Sequence, residues 1–230
     1  MLSVTNYSDQ ILHDIDLTLK DGENLIILGN NGAGKSTLAK LLCGLTPSQN
    51  VTLFSKKLSL LSPKERAKLI NYVPPKLEIF DEYIPLREYL ELSRLHSDME
   101  IEKSLELLGL DALAEKSCKT LSSGEQQLGM LCSALLHNAK LTIFDEPTAN
   151  LDPQKTKQVF AFLQSTLLEQ KIIITHDLNI AYKLGYKILY IQEGKIEFCG
   201  ENSLFFEEKN LEKFFGKSLK KIDNYFMVNL

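Results

Sequence analysis

The chain has 230 residues, 44% of them apolar and 24% charged, and a formal net charge of −4. That length accommodates one domain, or one with a sizeable insert, around a substantial core, and the mild acidity argues against a general nucleic-acid-binding surface. Four cysteines without paired spacing argue against a metal site or disulfide framework and fit a reducing compartment, and with no bilayer-length apolar run and no signal-peptide pattern, any membrane role is expected to run through a partner.

Residues 1–20 predict two strands, with Ile11, Ile15, Leu17 and Leu19 in partial alternation with polar residues and Tyr7 exposed in the loop between them. Asp21-Gly22 turns the chain into a buried strand, Leu25 to Leu28. That strand runs into GNNGAGKST, and a helix follows whose apolar face holds Leu38, Leu41 and Leu42. Gly29, Gly34, Lys35 and Ser36 match G-x-x-x-x-G-K-[ST] in the strand–loop–helix setting that the motif requires. Glycines let backbone N–H groups curl around a phosphate, and the helix N-terminus adds partial positive charge. Lys35 is expected to reach the β- and γ-phosphates of a nucleotide, and the Ser36 hydroxyl to bind Mg²⁺.

Val51 to Phe54 predicts a short strand, Ser62-Pro63 a capped helix start, and Ile70 to Val73 a buried strand stopped by Pro74-Pro75. From Lys76 to Lys119 the apolar spacing becomes helical, through Leu86, Leu90 and Leu95 and then Ile101, Leu105 and Leu108, with Gly109 ending the second helix. This block reads as a small helical subdomain inserted into an α/β core. LSSGE, Leu121 to Glu125, begins another helix that runs to about His137, capped by Ser122 or Ser123.

Leu141 to Phe144 is an apolar strand ending in Asp145-Glu146, and adjacent carboxylates at a buried strand end are costly unless they bind something. Asp145 suits a Mg²⁺ contact and Glu146 a general base toward water. Asp152-Pro153 starts an amphipathic helix, and Lys171 to Thr175 is a strand with His176 just past its end. Lys187 to Gln192 and Lys195 to Cys199 form a hairpin around Glu193-Gly194. Residues 201–230 carry short helical signals and a mixed basic and apolar tail, with no functional signal.

Taken in this order, the motifs resemble the nucleotide-binding subunit of an ATP-binding cassette (ABC) transporter. The phosphate loop is Gly29 to Thr37, including Asn30, Asn31, Gly32 and Ala33. The family signature is LSSGE, with Ser123 where a second glycine usually stands, and the second nucleotide motif is LTIFDE. The D-loop is ANLD, Ala149 to Asp152; the switch histidine is His176; and Tyr7 falls at the adenine-stacking aromatic. The resemblance implies one ABC ATPase domain over residues 1–230. Its fold would be α/β: a P-loop NTPase (RecA-like) core with an antiparallel β-subdomain and a helical subdomain of about 76–125.

The resemblance also implies ATP and Mg²⁺ as cofactors and a head-to-tail homodimer. Tyr7, Lys35, Ser36, Thr37, Asp145, Glu146 and His176 would act from one subunit, Ser122 and Gly124 would act on the γ-phosphate held by the other, and Asp152 of the D-loop would be a further nucleotide-binding residue. The expected partners are polytopic permease subunits and, indirectly, an extracytoplasmic substrate-binding protein, with the ATPase on the cytoplasmic face of the membrane and no nucleic acid bound. The segment Ser59 to Pro75 is similar to importers of iron–siderophore complexes, heme or cobalamin. Two departures stand out: Leu128 replaces an arginine, and Pro75 a glutamine whose loss predicts slow basal turnover. A soluble ABC ATPase acting on nucleic acid or the ribosome, and a weakly hydrolysing binding module, remain alternatives.

Overall fold

The structure, a computed structural model, describes residues 1–78, 81–95, 97–223 and 225–229, with the backbone alone at Val228. β1 (Leu2–Tyr7) and β2 (Ile15–Leu19) pair antiparallel. β3 (Leu25–Leu28) leads through the glycine-rich loop into α1 (Lys35–Leu42). β4 (Val51–Leu53) and β5 (Lys56–Lys57) complete a four-stranded antiparallel sheet in the order β2-β1-β4-β5. α2 (Pro63–Leu69) starts with a reciprocal Ser62–Glu65 capping box and leads into β6 (Ile70–Val73).

In the helical block, α3 (Leu86–Ser93) and α4 (Ile101–Leu108) both pack on α5 (Ser123–His137), and Gly109 closes α4 in the left-handed conformation. Leu95 lies beyond α3 and is exposed, so the helical spacing overran the helix by one apolar residue. Ile79, Phe80 and His96 of this block lie outside the described residues.

β7 (Leu141–Asp145), α6 (Pro153–Gln164), β8 (Lys171–Thr175), α7 (Leu178–Leu184), β9 (Lys187–Gln192) and β10 (Lys195–Gly200) complete the second sheet. Its order is β10-β9-β3-β8-β7-β6, parallel except for the β9–β10 hairpin. Strand alternation sends neighbouring residues to opposite layers. Ile26 and Leu28 of β3 join the helices α3 to α7, while Leu25 and Ile27 join α1 and the antiparallel sheet. β3, β7 and β8 are buried on both faces, which is why they read as largely continuous apolar runs.

The described residues after 200 form more regular structure than their sequence predicts. α8 (Asn202–Phe205) and α9 (Glu208–Phe215) precede a hairpin of β11 (Leu219–Ile222) and β12 (Tyr225–Val228). The Asn179 side chain donates to Phe226 O at 3.1 Å and accepts from Phe226 N at 2.8 Å, fastening the hairpin to α7. Among the described residues, no helix is long and apolar enough to cross a membrane.

Candidate nucleotide site

Strand order explains why distant motifs meet. The phosphate loop follows β3, His176 follows β8 and Asp145-Glu146 ends β7, and these three parallel strands are consecutive neighbours. Their C-terminal ends form one edge, the usual ligand edge of an open α/β sheet. A cleft of about 320 Å³ there is lined by Asn31, Gly32, Gly34, Lys35, Ser36 and Thr37 of the loop, with Glu146 and Ile11. Lys35 is only 7% exposed. Its Nζ donates to Gly29 O at 2.8 Å and Asn30 O at 3.1 Å, and lies 3.8 Å from Glu146 Oε1. Ala33 is buried and donates its N–H to Asn30 O, while Ser36 is exposed at the start of α1.

Asp145 is 2% exposed. Its Oδ2 accepts from the Tyr72 hydroxyl at 2.8 Å, and its Oδ1 is buried without a hydrogen-bond partner among the described residues. Burial, then the bond to Asp145, pushes the Tyr72 hydroxyl well above its ordinary range, so it stays a donor. An unpaired buried carboxylate oxygen is costly, and a hard divalent cation suits it. Among the described residues no three His, Cys, Asp or Glu side chains cluster to hold a metal alone. A Mg²⁺ ion here would take Asp145 and Ser36 from the protein and its other ligands from phosphate and water.

Glu146 sits at φ +49°, in the left-handed region that costs a non-glycine residue energy, and such strain gathers at working sites. The kink turns its carboxylate toward the loop. The His176 ring donates from Nδ1 to Glu146 Oε2 at 2.9 Å. One carboxylate thus faces both the phosphate-loop lysine and the histidine beyond β8. The arrangement can hold a water for attack on a phosphorus atom beside Lys35. Tyr72 escaped the sequence reading because only sheet register brings β6 beside β7.

Tyr7 corrects an expectation. It ends β1, is 9% exposed and belongs to the core under the antiparallel sheet. Leu2 and Val4 point inward, and strict alternation would turn Tyr7 outward. An irregularity between Val4 and Tyr7, with Asn6 at φ +47°, shifts the register and turns the ring inward. Its hydroxyl donates to Asp9 Oδ2 at 2.9 Å. Ile11 was expected to alternate with strand residues; it lies in the loop before β2 and is 48% exposed.

That loop is tied to the phosphate loop through the β9–β10 turn. Gly194 N donates to Ala33 O at 3.0 Å, and His13 N donates to Gly194 O at 2.8 Å. Gly194 has φ +76°, and an added Cβ would lie 1.8 Å from Ile11 O. Gly194→Ala is expected to lower stability by about 2 kcal/mol or more and to weaken nucleotide binding, measurable by urea unfolding and by titration.

Ser122, Gly124 and Asp152 do not line the cleft. Ser122 caps α5 in a capping box with Glu125. Asp152 caps α6, accepting from Gln154 N at 2.8 Å and Lys155 N at 2.9 Å. Gly124 is buried against Lys155, whose Cγ would stand 2.9 Å from an added Cβ. Within one chain these residues therefore shape two helix starts.

Residues 12–149, more than half of the chain, match the family profile described as ABC transporter. The chain belongs to the ABC transporter family. It is 30% identical over 226 residues to the arginine transport ATP-binding protein ArtP of Haemophilus influenzae, covering 90% of this chain and 92% of ArtP. It is also 30% identical over 228 residues to the ribose import ATP-binding protein RbsA of Caldanaerobacter subterraneus. That match covers 92% of this chain, which spans 46% of RbsA's length. Among solved structures, the dimeric post-hydrolysis cassette MJ0796 bound to ADP and Pi superposes with a TM-score of 0.71 at 25% identity, covering 88% of this chain and 99% of that one. Cassettes of this ABC family bind ATP with Mg²⁺ and hydrolyse it, and the α/β core with its antiparallel sheet is their fold.

Proposed function

We propose that this chain is the ATP-hydrolysing, energy-coupling subunit of an ABC importer. The observation that carries the proposal is the cleft lined by Lys35, Ser36 and Glu146, with His176 bonded to Glu146 and, on the preceding residue Asp145, a buried oxygen without a hydrogen-bond partner among the described residues. Lys35 and the phosphate-loop amides hold the phosphates, Asp145 and Ser36 hold Mg²⁺, Glu146 polarises the attacking water and His176 orients Glu146. The working form is a homodimer in which Ser122, Gly124 and Asp152 of each subunit complete the other's site. It acts on the cytoplasmic face of the membrane beneath polytopic permease subunits, which an extracytoplasmic binding protein feeds. One ABC domain spans residues 1–230, with residues 76–125 as its helical subdomain.

The cargo we assign is an iron complex, as siderophore or heme, or cobalamin. The similarity of Ser59 to Pro75 to importers of that group supports it. Pro75 is exposed just past β6, where the family carries glutamine, and it makes the basal rate slow.

The test is ATP-dependent dimerisation, read by light scattering, beside phosphate release. Ser122→Asp keeps a capping oxygen for α5 but sets negative charge against the partner's γ-phosphate. Monomer ATP binding is expected to survive in it, while dimerisation and hydrolysis are lost. Wild-type dimerisation by Ser122→Asp would rule out the completed-across-the-dimer arrangement.

A further inference from the structure

The hairpin of β11 and β12 lies beyond residues 12–149, which match the family profile, and the mechanism proposed above makes no use of it. Its contact with α7 is specific. Phe226 pairs with Lys221 across the hairpin, yet the Phe226 N–H and carbonyl both go to the Asn179 side chain, which accepts at 2.8 Å and donates at 3.1 Å. Alternate residues of an antiparallel strand turn both groups away from their partner strand, and here one side-chain amide takes the place of the next strand.

Side chains close the same contact. The Phe226 ring is 5% exposed, meets Tyr182 edge-on with centroids 5.3 Å apart, and lies 4.8 Å from the Phe206 ring. Lys221 Nζ stands 5.0 Å from the Tyr182 centroid, and Lys183 Nζ 4.1 Å from that of Tyr225. Asn179, Tyr182 and Lys183 share one face of α7 by their spacing, so the hairpin grips a whole helix face.

That helix has seven residues, too few to hold its form without packing. Its first turn hangs from the end of β8. Asp177 N donates to Thr175 Oγ1 at 3.0 Å, and Asp177 Oδ1 accepts from Asn179 N at 2.7 Å and Ile180 N at 3.1 Å. His176 is the residue between Thr175 and Asp177, and its half-exposed ring reaches Glu146 from this junction. Asn179 is thus bonded through its backbone to the residue beside His176 and through its side chain to the hairpin.

We propose that Asn179 is a positioning residue for ATP hydrolysis: through it the C-terminal hairpin holds the start of α7, and with it the His176 ring, against Glu146. The proposal rests on the role given to His176 above. The phosphate loop is built on β3 and α1, so loosening this clamp slows the chemical step and leaves ATP binding in place.

The test is phosphate release against ATP concentration in the full-length protein, beside a separate ATP titration and a thermal melt. Asn179→Ala is expected to lower kcat by about 10-fold, within the loss that a small misplacement of a catalytic group produces, with the ATP dissociation constant within about 2-fold of wild type. Phe226→Ala, on the other side of the clamp, is expected to show the same split. The double variant is expected to lose no more than the larger single loss, because both changes break one contact. Phe226→Leu, which keeps the backbone bonds and most of the apolar burial, is expected to retain kcat. Wild-type kcat in a folded Asn179→Ala protein, or a fall in kcat matched by an equal fall in ATP affinity, would overturn the proposal. Should Asn179→Ala fail to fold, Phe226→Ala decides by the same two outcomes. A kcat that falls in His176→Ala but not in Asn179→Ala sinks the clamp alone, whereas wild-type turnover in both His176→Ala and Glu146→Gln overturns the mechanism beneath it.

Discussion

In Glu146→Gln, steady-state phosphate release is expected to fall by about 10³-fold, within the range that a positioned general base contributes. Glutamine has the same length and keeps the left-handed backbone that glutamate already tolerates at φ +49°. Its carbonyl oxygen can still accept from His176 Nδ1. The ammonium of Lys35 keeps Gly29 O and Asn30 O as partners when the opposite charge at 3.8 Å is removed. Stability is therefore expected to change by less than about 1 kcal/mol. ATP affinity should hold or rise, because a carboxylate beside the γ-phosphate repels it. The measurement is phosphate release against ATP concentration, with affinity taken from a separate titration. Turnover near wild type in a folded Glu146→Gln protein would remove Glu146 from the role of base and leave His176 or an ordered water to be tested.

Lys35→Met is the second large effect. Methionine fills much of the volume of the lysine stem in a site only 7% exposed, so the change deletes the ammonium rather than the packing. ATP affinity is expected to drop by about 10²-fold, the scale of a lost charge-assisted bond to phosphate in a desolvated place. AMP, which lacks the β- and γ-phosphates, should bind weakly and almost equally to both proteins. That contrast separates a lost phosphate contact from a distorted loop. The Gly29 and Asn30 carbonyls also lose their donor, so a modest loss of thermal stability is expected in the nucleotide-free state. A Lys35→Met protein that binds ATP as tightly as wild type would show that the backbone amides and the helix end carry the phosphates alone.

Most of the phosphate-binding half of the site was legible in the sequence because its chemistry is local. Gly29 to Thr37 occupies consecutive positions, and the apolar runs Leu25 to Leu28 and Leu141 to Phe144 declared themselves as strands buried on both faces. Ser62, Ser122 and Asp152 likewise act on backbone N–H groups two or three residues away, so these helix starts followed from spacing, with only the choice of Ser122 over Ser123 left to the structure. The hairpin that closes residues 219–228 was not legible. Its short strands are held by Asn179, more than forty positions earlier, and no local pattern encodes that bond.

What the sequence by itself determined is the inventory: a phosphate loop, two carboxylates and a histidine at strand ends, and the order in which they come. Local spacing sets each of these, because glycine conformation, strand alternation and helix capping all act over a few residues. Only the tertiary structure decided which of them touch. The β3-β8-β7 order puts Glu146 between Lys35 and His176, and β6 beside β7 brings Tyr72 to one oxygen of Asp145 while the other is buried without a partner among the described residues. It also decided which side chains of the first loop are buried and which are exposed. A single irregularity in β1 reverses which way Tyr7 points, and a turn some 180 residues farther on, at Gly194, seats Ile11 against the phosphate loop. Strand register flips a whole side chain for one inserted residue, and packing partners are chosen by the fold rather than by neighbours in the chain.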